Sequence, residues 1–193
     1  MSLPFSQACE NNKQPILNQL KQWIKTPARL LEIGAGTGQH AVYFARQFPM
    51  LIWQATDVNT SVLEQQFQSH RRPNLPAPKS FHSRQPFHDR LFDYLFTANT
   101  LHIMSEADGA ALIQQLPHLI PDGLCFIYGP FKYQGQYTSQ SNADFDHWLK
   151  ARDPMSGIRD IEWLQQQMKL QHFDMLDDVS MPANNQWLIF KQS

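Results

Sequence analysis

The chain has 193 residues, 42% of them hydrophobic, enough to build the core of one domain spanning 1–193. Its net charge of −1 carries no basic excess of the kind that marks a nucleic-acid partner. No apolar run approaches the roughly 20 residues that cross a bilayer, MSLPFSQACENNK lacks the basic start and apolar core of a signal peptide, and Cys9 and Cys125 have no metal-like spacing; a cytoplasmic protein away from membranes is expected.

In chain order, NNKQPILNQLKQWI predicts a helix capped by Asn11 or Asn12, with Pro15 in its first turn. Ile16, Leu17, Leu20, Trp23 and Ile24 share one face of it. Residues 1–28 then form an N-terminal helical cap. ARLLEI is a short buried strand, GAGTGQ a glycine turn, and HAVYFARQF a helix with Ala41, Phe44, Ala45 and Phe48 inward. LIWQAT is a second strand ending at Asp57, and TSVLEQQFQS a helix. After the proline-rich RRPNLPAPK, SFHS is expected as a short third strand and FDYLFTANT as a fourth, ending near Asn99.

Ser105 and Asp108 resemble a capping box for EADGAALIQQLPHLI, which Gly109 and Pro117 weaken locally. PDG is a turn in which Pro fixes one torsion and Gly permits the unusual one. LCFIYG is a strand, followed by a loop rich in Gly, Tyr, Ser and Gln. SNADFDHWLKA is a helix capped by Ser141, and Asp160 is placed to cap IEWLQQQMKL. FDMLDDVSM and QWLIFKQ close the chain as an antiparallel pair. Alternating strands and helices argue for an α/β fold with a mostly parallel sheet, whose ligands sit beyond the strands' carboxyl ends.

LLEIGAGTGQH carries the strongest signal. Gly34, Gly36 and Gly38, with Ala35 between them, let the backbone turn sharply and approach a ligand. The following helix presents free N–H groups. Glu32 is placed to hold an ammonium group, directly or through water, or else to cap backbone N–H groups. Asp57 stands 19 residues after Gly38 at a strand end, where it can accept from two ribose hydroxyls or cap the next helix; Val58 follows it. A dinucleotide turn would need Gly or Ala at position 39, where this chain has Gln39, and Glu32 would face a pyrophosphate badly. The spacing therefore favours S-adenosylmethionine (SAM) over NAD.

The turn and its acidic strand end resemble those of the class I SAM-dependent methyltransferases. NNKQPIL, LEIGAGTGQHAVYFA, WQATDVN, FTANTLHI, YGPFKYQG, TSQSNADFDHWLKARDP, GIRD and MPANNQWLIF further resemble the family known as domain of unknown function 938, related to the methyltransferase-like 26 proteins. The resemblance runs nearly end to end. It implies a Rossmann-like fold, with a seven-stranded sheet, an antiparallel last strand and helices on both faces, and SAM binding. It departs in one region: the family has a fuller third strand where this chain reads PKSFHSRQPFHDRLFD, and neither Asp89 nor Asp93 aligns with the acid expected near the adenine.

In that fold the residues after the fourth strand border the methyl donor. Asn99 and Leu101 are then cofactor contacts, and Asn99 and His102 the catalytic candidates, with His102 as proton acceptor or as a packing residue. ANTLHI is not the Asn/Asp-Pro-Pro-aromatic loop of base-amine methylation. The resemblance makes Tyr128, Pro130, Phe131 and Tyr133, with Tyr137 and Trp148, an aromatic wall, and brings Asn12, Asn184 and Asn185 to the same mouth. Asn12 is equally well read as a helix cap, and YGPFKY as a packed loop. No H-x-x-x-H or H-x-H spacing suggests a metal. The expected reaction is methyl transfer from SAM to a small-molecule acceptor, giving S-adenosylhomocysteine (SAH), with a protein acceptor next. The rivals are a SAM-binding sensor or partner protein without turnover, and an NAD-linked oxidoreductase.

Overall fold

The computed structural model describes residues 5–193. Helix α1 runs Gln7–Trp23, four residues earlier than the periodicity predicts, because Ser6 is the cap: its Oγ accepts the Cys9 N–H at 3.3 Å. Asn12 and Pro15 therefore lie inside the helix, and Ile16, Leu17 and Leu20 are buried. There follow β1 (Ala28–Ile33), α2 (Gln39–Gln47), β2 (Leu51–Asp57), α3 (Ser61–Ser69), β3 (Lys79–Ser80), β4 (Tyr94–Ala98), α4 (Glu106–Leu119) and β5 (Leu124–Gly129). The loop expected after β5 contains β6 (Phe131–Tyr133) and β7 (Gln136–Tyr137). Then come α5 (Gln140–Arg152), β8 (Arg159–Asp160), α6 (Ile161–Leu170), β9 (Phe173–Met181) and β10 (Asn185–Gln192).

The main sheet has seven strands in the order β3-β2-β1-β4-β5-β10-β9. The first five are parallel, and β10 is antiparallel to both its neighbours, as the Rossmann-like methyltransferase fold requires. The chain winds outward from β1 to β3, then crosses back to β4 on the other side of β1. That reversal leaves a crevice at the carboxyl ends of β1 and β4. Side chains alternate between two cores. Leu30, Trp53, Phe96, Phe126 and Trp187 meet α1, α2 and α3 on one face, and Leu31, Leu95, Ile127 and Leu188 meet α4 and α6 on the other. β6, β7 and β8 form a separate small sheet. No helix among the described residues is long and apolar enough to cross a membrane.

Several local expectations change. The third strand shrinks to Lys79–Ser80, and His82 onward turns away. Ser139 caps α5 by accepting the Asn142 N–H at 3.2 Å, while Ser141 lies in the first turn. Asp160 stands at the start of α6, but its carboxylate accepts the Gly135 N–H at 2.8 Å and pairs with Lys132 at 3.0 Å. In the PDG turn Asp122 takes the positive φ of 62°, and Gly123 is needed because a Cβ there would lie 2.6 Å from the Asp93 carbonyl oxygen. Ser105 does cap α4, accepting the Asp108 N–H at 3.1 Å.

The proline-rich connection also hides a buried anchor. Asn74 is 7% exposed, and its amide donates to the carbonyls of Ala45, Phe48 and Leu51 at 2.8, 3.0 and 3.1 Å. Its own carbonyl accepts the Trp53 N–H at 2.9 Å. One side chain thus closes the end of α2 onto the start of β2. Asn74→Ala strands these carbonyls and is expected to cost about 2–3 kcal/mol. Urea unfolding measures this, and a midpoint equal to the wild type's would refute the anchoring role.

Candidate functional site

The turn from β1 into α2 is built from left-handed residues. Gly34, Gly36 and Gly38 have φ of 71°, 56° and 76°. A Cβ on Gly34 would lie 2.6 Å from Thr100 Oγ1, whereas one on Gly36 would meet nothing within 4 Å. Gly34 is thus packed against the loop after β4, and Gly36 borders open space. The Gly36 N–H donates to Asp57 Oδ2 at 2.8 Å, and the Ala35 N–H to the Thr56 carbonyl at 2.9 Å, so the turn is tied to the end of β2. Ala35 and Gly38 are turned away from the opening; a Cβ on Gly38 would press on Leu63 of α3 at 3.0 Å.

A cavity of about 540 Å³ opens beside Gly36, at the strand-order reversal. Ile33, Gly34, Gly36, Asp57 and Val58 line one side, and Asn99, Thr100, Ile103, Met104 and Asp108 the other. Val58 and Ile103 are 64% and 61% exposed, apolar surface left open to a ligand. Leu101 does not join them: it turns into the core beneath α4 and α6. Phe81, His82, Ser83, Arg84 and Gln85 complete the wall, from the stretch whose sequence reads least like a strand. Gln115 holds this stretch, donating to the Ser83 carbonyl at 2.6 Å and accepting the Phe87 N–H at 3.3 Å.

A second acid in the cavity, beside Asp57, is Asp108, paired with Arg84 and hydrogen-bonded to Ser105 Oγ at 2.6 Å. These partners hold its carboxyl below the usual carboxylate range. Asp89 and Asp93 are engaged elsewhere: Asp89 pairs with Lys79 at 2.8 Å, and Asp93 accepts the Arg29 N–H at 2.8 Å. The capping box was the available signal for Asp108. A helix that begins just after β4 must put its first turn at the sheet's carboxyl edge.

Glu32 lies beneath the turn rather than in the cavity. It is 2% exposed and accepts the Trp53 indole N–H at 2.6 Å. Burial, against the lowering effect of Trp53 and with added repulsion from Asp57, pushes its carboxyl up to about 8. Helix α1 covers this region. The Ser6 N–H donates to Gln39 Oε1, Gln39 Nε2 donates to the Ser6 carbonyl at 3.4 Å, and Asn12 Oδ1 lies 2.7 Å from His40 Nε2. Burial pushes His40 down to about 4. The Tyr128 side chain lies beside those of Asn12 and Asn185, so these three predicted residues are brought together under α1. The buried Trp187 indole N–H, beside them on β10, finds no partner among the described residues.

Asn99 has φ of 56°, a strained value for a non-glycine, and its N–H donates to the Tyr128 carbonyl at 2.8 Å. Asn99 Oδ1 and His102 Nδ1 both lie 3.9 Å from where a Cβ on Gly129 would stand. His102 is buried against Phe145, and burial, then the charge of Arg159, pushes it down to about 4. The expected aromatic wall is largely absorbed by structure. Phe131 and Pro130 are buried, the Tyr133 hydroxyl donates to Asp178 at 2.7 Å, and the Tyr137 hydroxyl donates to Asp146 at 2.6 Å. Trp148 is half-exposed, stacked on Phe145. Asn184 is exposed; its carbonyl accepts from Asn142 at 3.0 Å and its amide donates to Ser141 at 3.2 Å.

The family described as protein of unknown function (DUF938) matches residues 3–192. Among solved structures, the fold is similar to an O-methyltransferase family 2 protein from Planctomyces limnophilus DSM 3776 in complex with apigenin (12% identity, TM-score 0.78, covering 96% of this chain and 60% of that one). It is similar also to an O-methyltransferase family protein from Burkholderia thailandensis (16%, TM-score 0.78, covering 96% and 57%). A third is PigF, solved with SAH (9%, TM-score 0.79, covering 95% and 56%). The chain spans 60% or less of the length of each.

The buried Glu32 has a measurable consequence. Unfolded, its carboxyl ionises near the ordinary carboxylate value, while folded it stays protonated to about 8. Between those values the folded state binds the extra proton, so stability falls as pH rises through that window. Glu32→Gln keeps a neutral group of similar shape. It should match the wild type at pH 4 and exceed it at pH 8.5, by an amount on the order of a few kcal/mol. Chemical denaturation at the two pH values tests this, and a constant difference between variant and wild type would refute it.

Proposed function

We propose that this chain, which belongs to the DUF938 family, transfers a methyl group from SAM to a small-molecule acceptor. The observation that carries this reading is the cavity at the β1/β4 reversal: open beside Gly36, acidic at Asp57, and apolar at Val58 and Ile103. Those features fit a nucleoside carrying a small charged tail. In this reading Asp57, one oxygen already committed to the Gly36 N–H, accepts from the ribose hydroxyls. Val58 and Ile103 flank the adenine. Gly34, Gly36 and Asn99 border the methionyl part. Glu32 answers its ammonium from below, through water, and ionises when the positive charge arrives.

When bound, SAM supplies the methyl on a sulfonium that is itself a good leaving group, so the residues need only align the acceptor and exclude water. Asn99, His102 and Gly129 stand where the acceptor would approach. His102, neutral at pH 7, orients the acceptor and is a weak proton acceptor. Asn12, Tyr128 and Asn185 offer neutral hydrogen bonds on the side covered by α1, which supports an uncharged or weakly polar small molecule over a charged protein segment. The neighbours solved with apigenin and with SAH support both halves of the reading. The weak basicity of His102 is the one observation that favours the rival, a SAM-binding protein without turnover. Against NAD stands Gln39, whose side chain is committed to Ser6 where a dinucleotide turn keeps the space clear.

Calorimetry with SAH and NADH tests the assignment. SAH is expected to bind and NADH not. Asp57→Ala should weaken SAH about tenfold or more, the loss of hydrogen bonds to a charged group worth roughly 1.5–3 kcal/mol, with an unchanged circular dichroism spectrum. Binding of NADH without SAH would overturn the methyltransferase reading.

A further inference from the structure

We propose that Arg159 is a positioning residue for the cofactor cavity: its guanidinium holds the loop after β4, which carries Asn99, Thr100, Ile103 and Met104, in the shape that forms the cavity wall. This rests on the reading that the cavity takes SAM.

Arg159 is 8% exposed. Its Nε donates to the Leu101 carbonyl at 3.4 Å, and one terminal nitrogen donates to the Met104 carbonyl and to the Met155 carbonyl, the latter at 2.8 Å. The other terminal nitrogen lies 3.6 Å from Glu106, whose side chain is 65% exposed. Most of the ion's partners are therefore neutral carbonyls. Burying a guanidinium is expensive, and apolar residues of like volume often stabilise a fold as well or better. What such residues cannot supply is a planar fork that reaches carbonyls on either side of a turn. Within the loop the N–H groups of Ile103 and Met104 both go to the Thr100 carbonyl, and its start is held by the Asn99 N–H on the Tyr128 carbonyl at 2.8 Å; the Leu101 and Met104 carbonyls are the ones Arg159 takes.

The backbone of Arg159 is itself fixed. β8 runs parallel to β6 with Arg159 opposite Phe131, and the register is locked by the Lys132–Asp160 pair at 3.0 Å. β6 follows β5 directly through Gly129 and Pro130. Two residues before Arg159, the Gly157 N–H donates to the His102 carbonyl at 2.9 Å. The YGPFKY and GIRD segments thus act together as a platform that reaches over and grips the loop twice. The charge that bears on His102 is that of Arg159 on β8, and it disfavours the imidazolium; Arg159 in turn feels Glu106 on α4 and Asp146 on α5, the latter paired with Lys150 at 2.6 Å. Side-chain grip and ring charge state therefore share one residue.

The full chain is compared with Arg159→Met and Arg159→Lys, by SAH calorimetry, by amide exchange of residues 100–105 without ligand, and by NMR titration of the His102 ring. In Arg159→Met, SAH affinity should fall at least tenfold, loop exchange should quicken, and the His102 titration should move up from about 4. Arg159→Lys keeps the charge but not the fork, so the titration should stay low while affinity and loop protection still fall. The titration reads the arginine's charge and the exchange reads its fork, so an arginine that serves only as a buried charge would leave SAH affinity and loop exchange unmoved in Arg159→Lys. The proposal is overturned if Arg159→Met binds SAH within twofold of wild type with loop exchange unchanged. Should Arg159→Met not fold, Arg159→Lys decides on the same two measurements. If the wild type binds no SAH, the cofactor reading fails, and the ligand-free exchange still decides on Arg159.

Discussion

The hydrogen bond from the Gly36 N–H to the Asp57 carboxylate joins the ends of two parallel strands, and the site is organised around it. A left-handed turn has no ladder to hold it, so without a partner from β2 its N–H groups would have to be satisfied by water. Asp57 supplies that partner and remains half-exposed, able to accept more. The same tie sets where α2 begins, and α2 in turn presents Gln39 and His40 to α1. The cap over the sheet therefore inherits its position from a bond at the cavity floor.

The strands that build the floor were readable because parallel strands buried on both faces must be apolar almost throughout, as in Leu30, Leu31 and Ile33. The glycine turn was readable because three left-handed positions in five residues leave few alternatives to glycine. Asp57 and Val58 followed, since the end of β2 fixes where both point. The wall opposite was harder. Phe81 to Gln85 line the cavity as an irregular stretch held by the Arg84–Asp108 pair and by the Gln115 amide, 32 residues beyond Ser83. No local periodicity encodes such a tether. Leu101 was misplaced for a related reason: the turn after β4 has no period, so neighbouring residues go to opposite sides, Thr100 and Ile103 to the cavity and Leu101 to the core.

Tyrosines and asparagines near the C-terminal half were ambiguous on chemical grounds. A tyrosine has an apolar ring and a polar tip, and both uses look alike in sequence. Tyr133 and Tyr137 spend their hydroxyls on Asp178 and Asp146, holding the small sheet, while Tyr128 meets Asn12 and Asn185. Only the long-range pairing of β5 with β10 separates them, because it brings Asn185 to Tyr128 across 57 residues. Ser6, likewise, caps α1 through its Oγ, but the bond that fixes the chain there runs from its backbone to Gln39, 33 residues on, and has no local signal.

Helix α1 and the glycine turn impose opposite electrostatic demands on the space between them. Asn12, His40, Trp53 and Glu32 are all buried there, and both titratable members are neutral, since burial lifts the acid and depresses the base. A layer of this kind avoids an unpaired charge in low dielectric but stores the means to make one. In the proposed reading, a cofactor ammonium arriving above the turn would favour the ionised form of Glu32, and the energy of that pairing would offset its desolvation. His40 gains nothing from a neighbouring cation and stays neutral, keeping its bond to Asn12. The acid therefore responds to the cofactor while the histidine holds the helix, which lets α1 stay clasped on Gln39 as the charge beneath it changes.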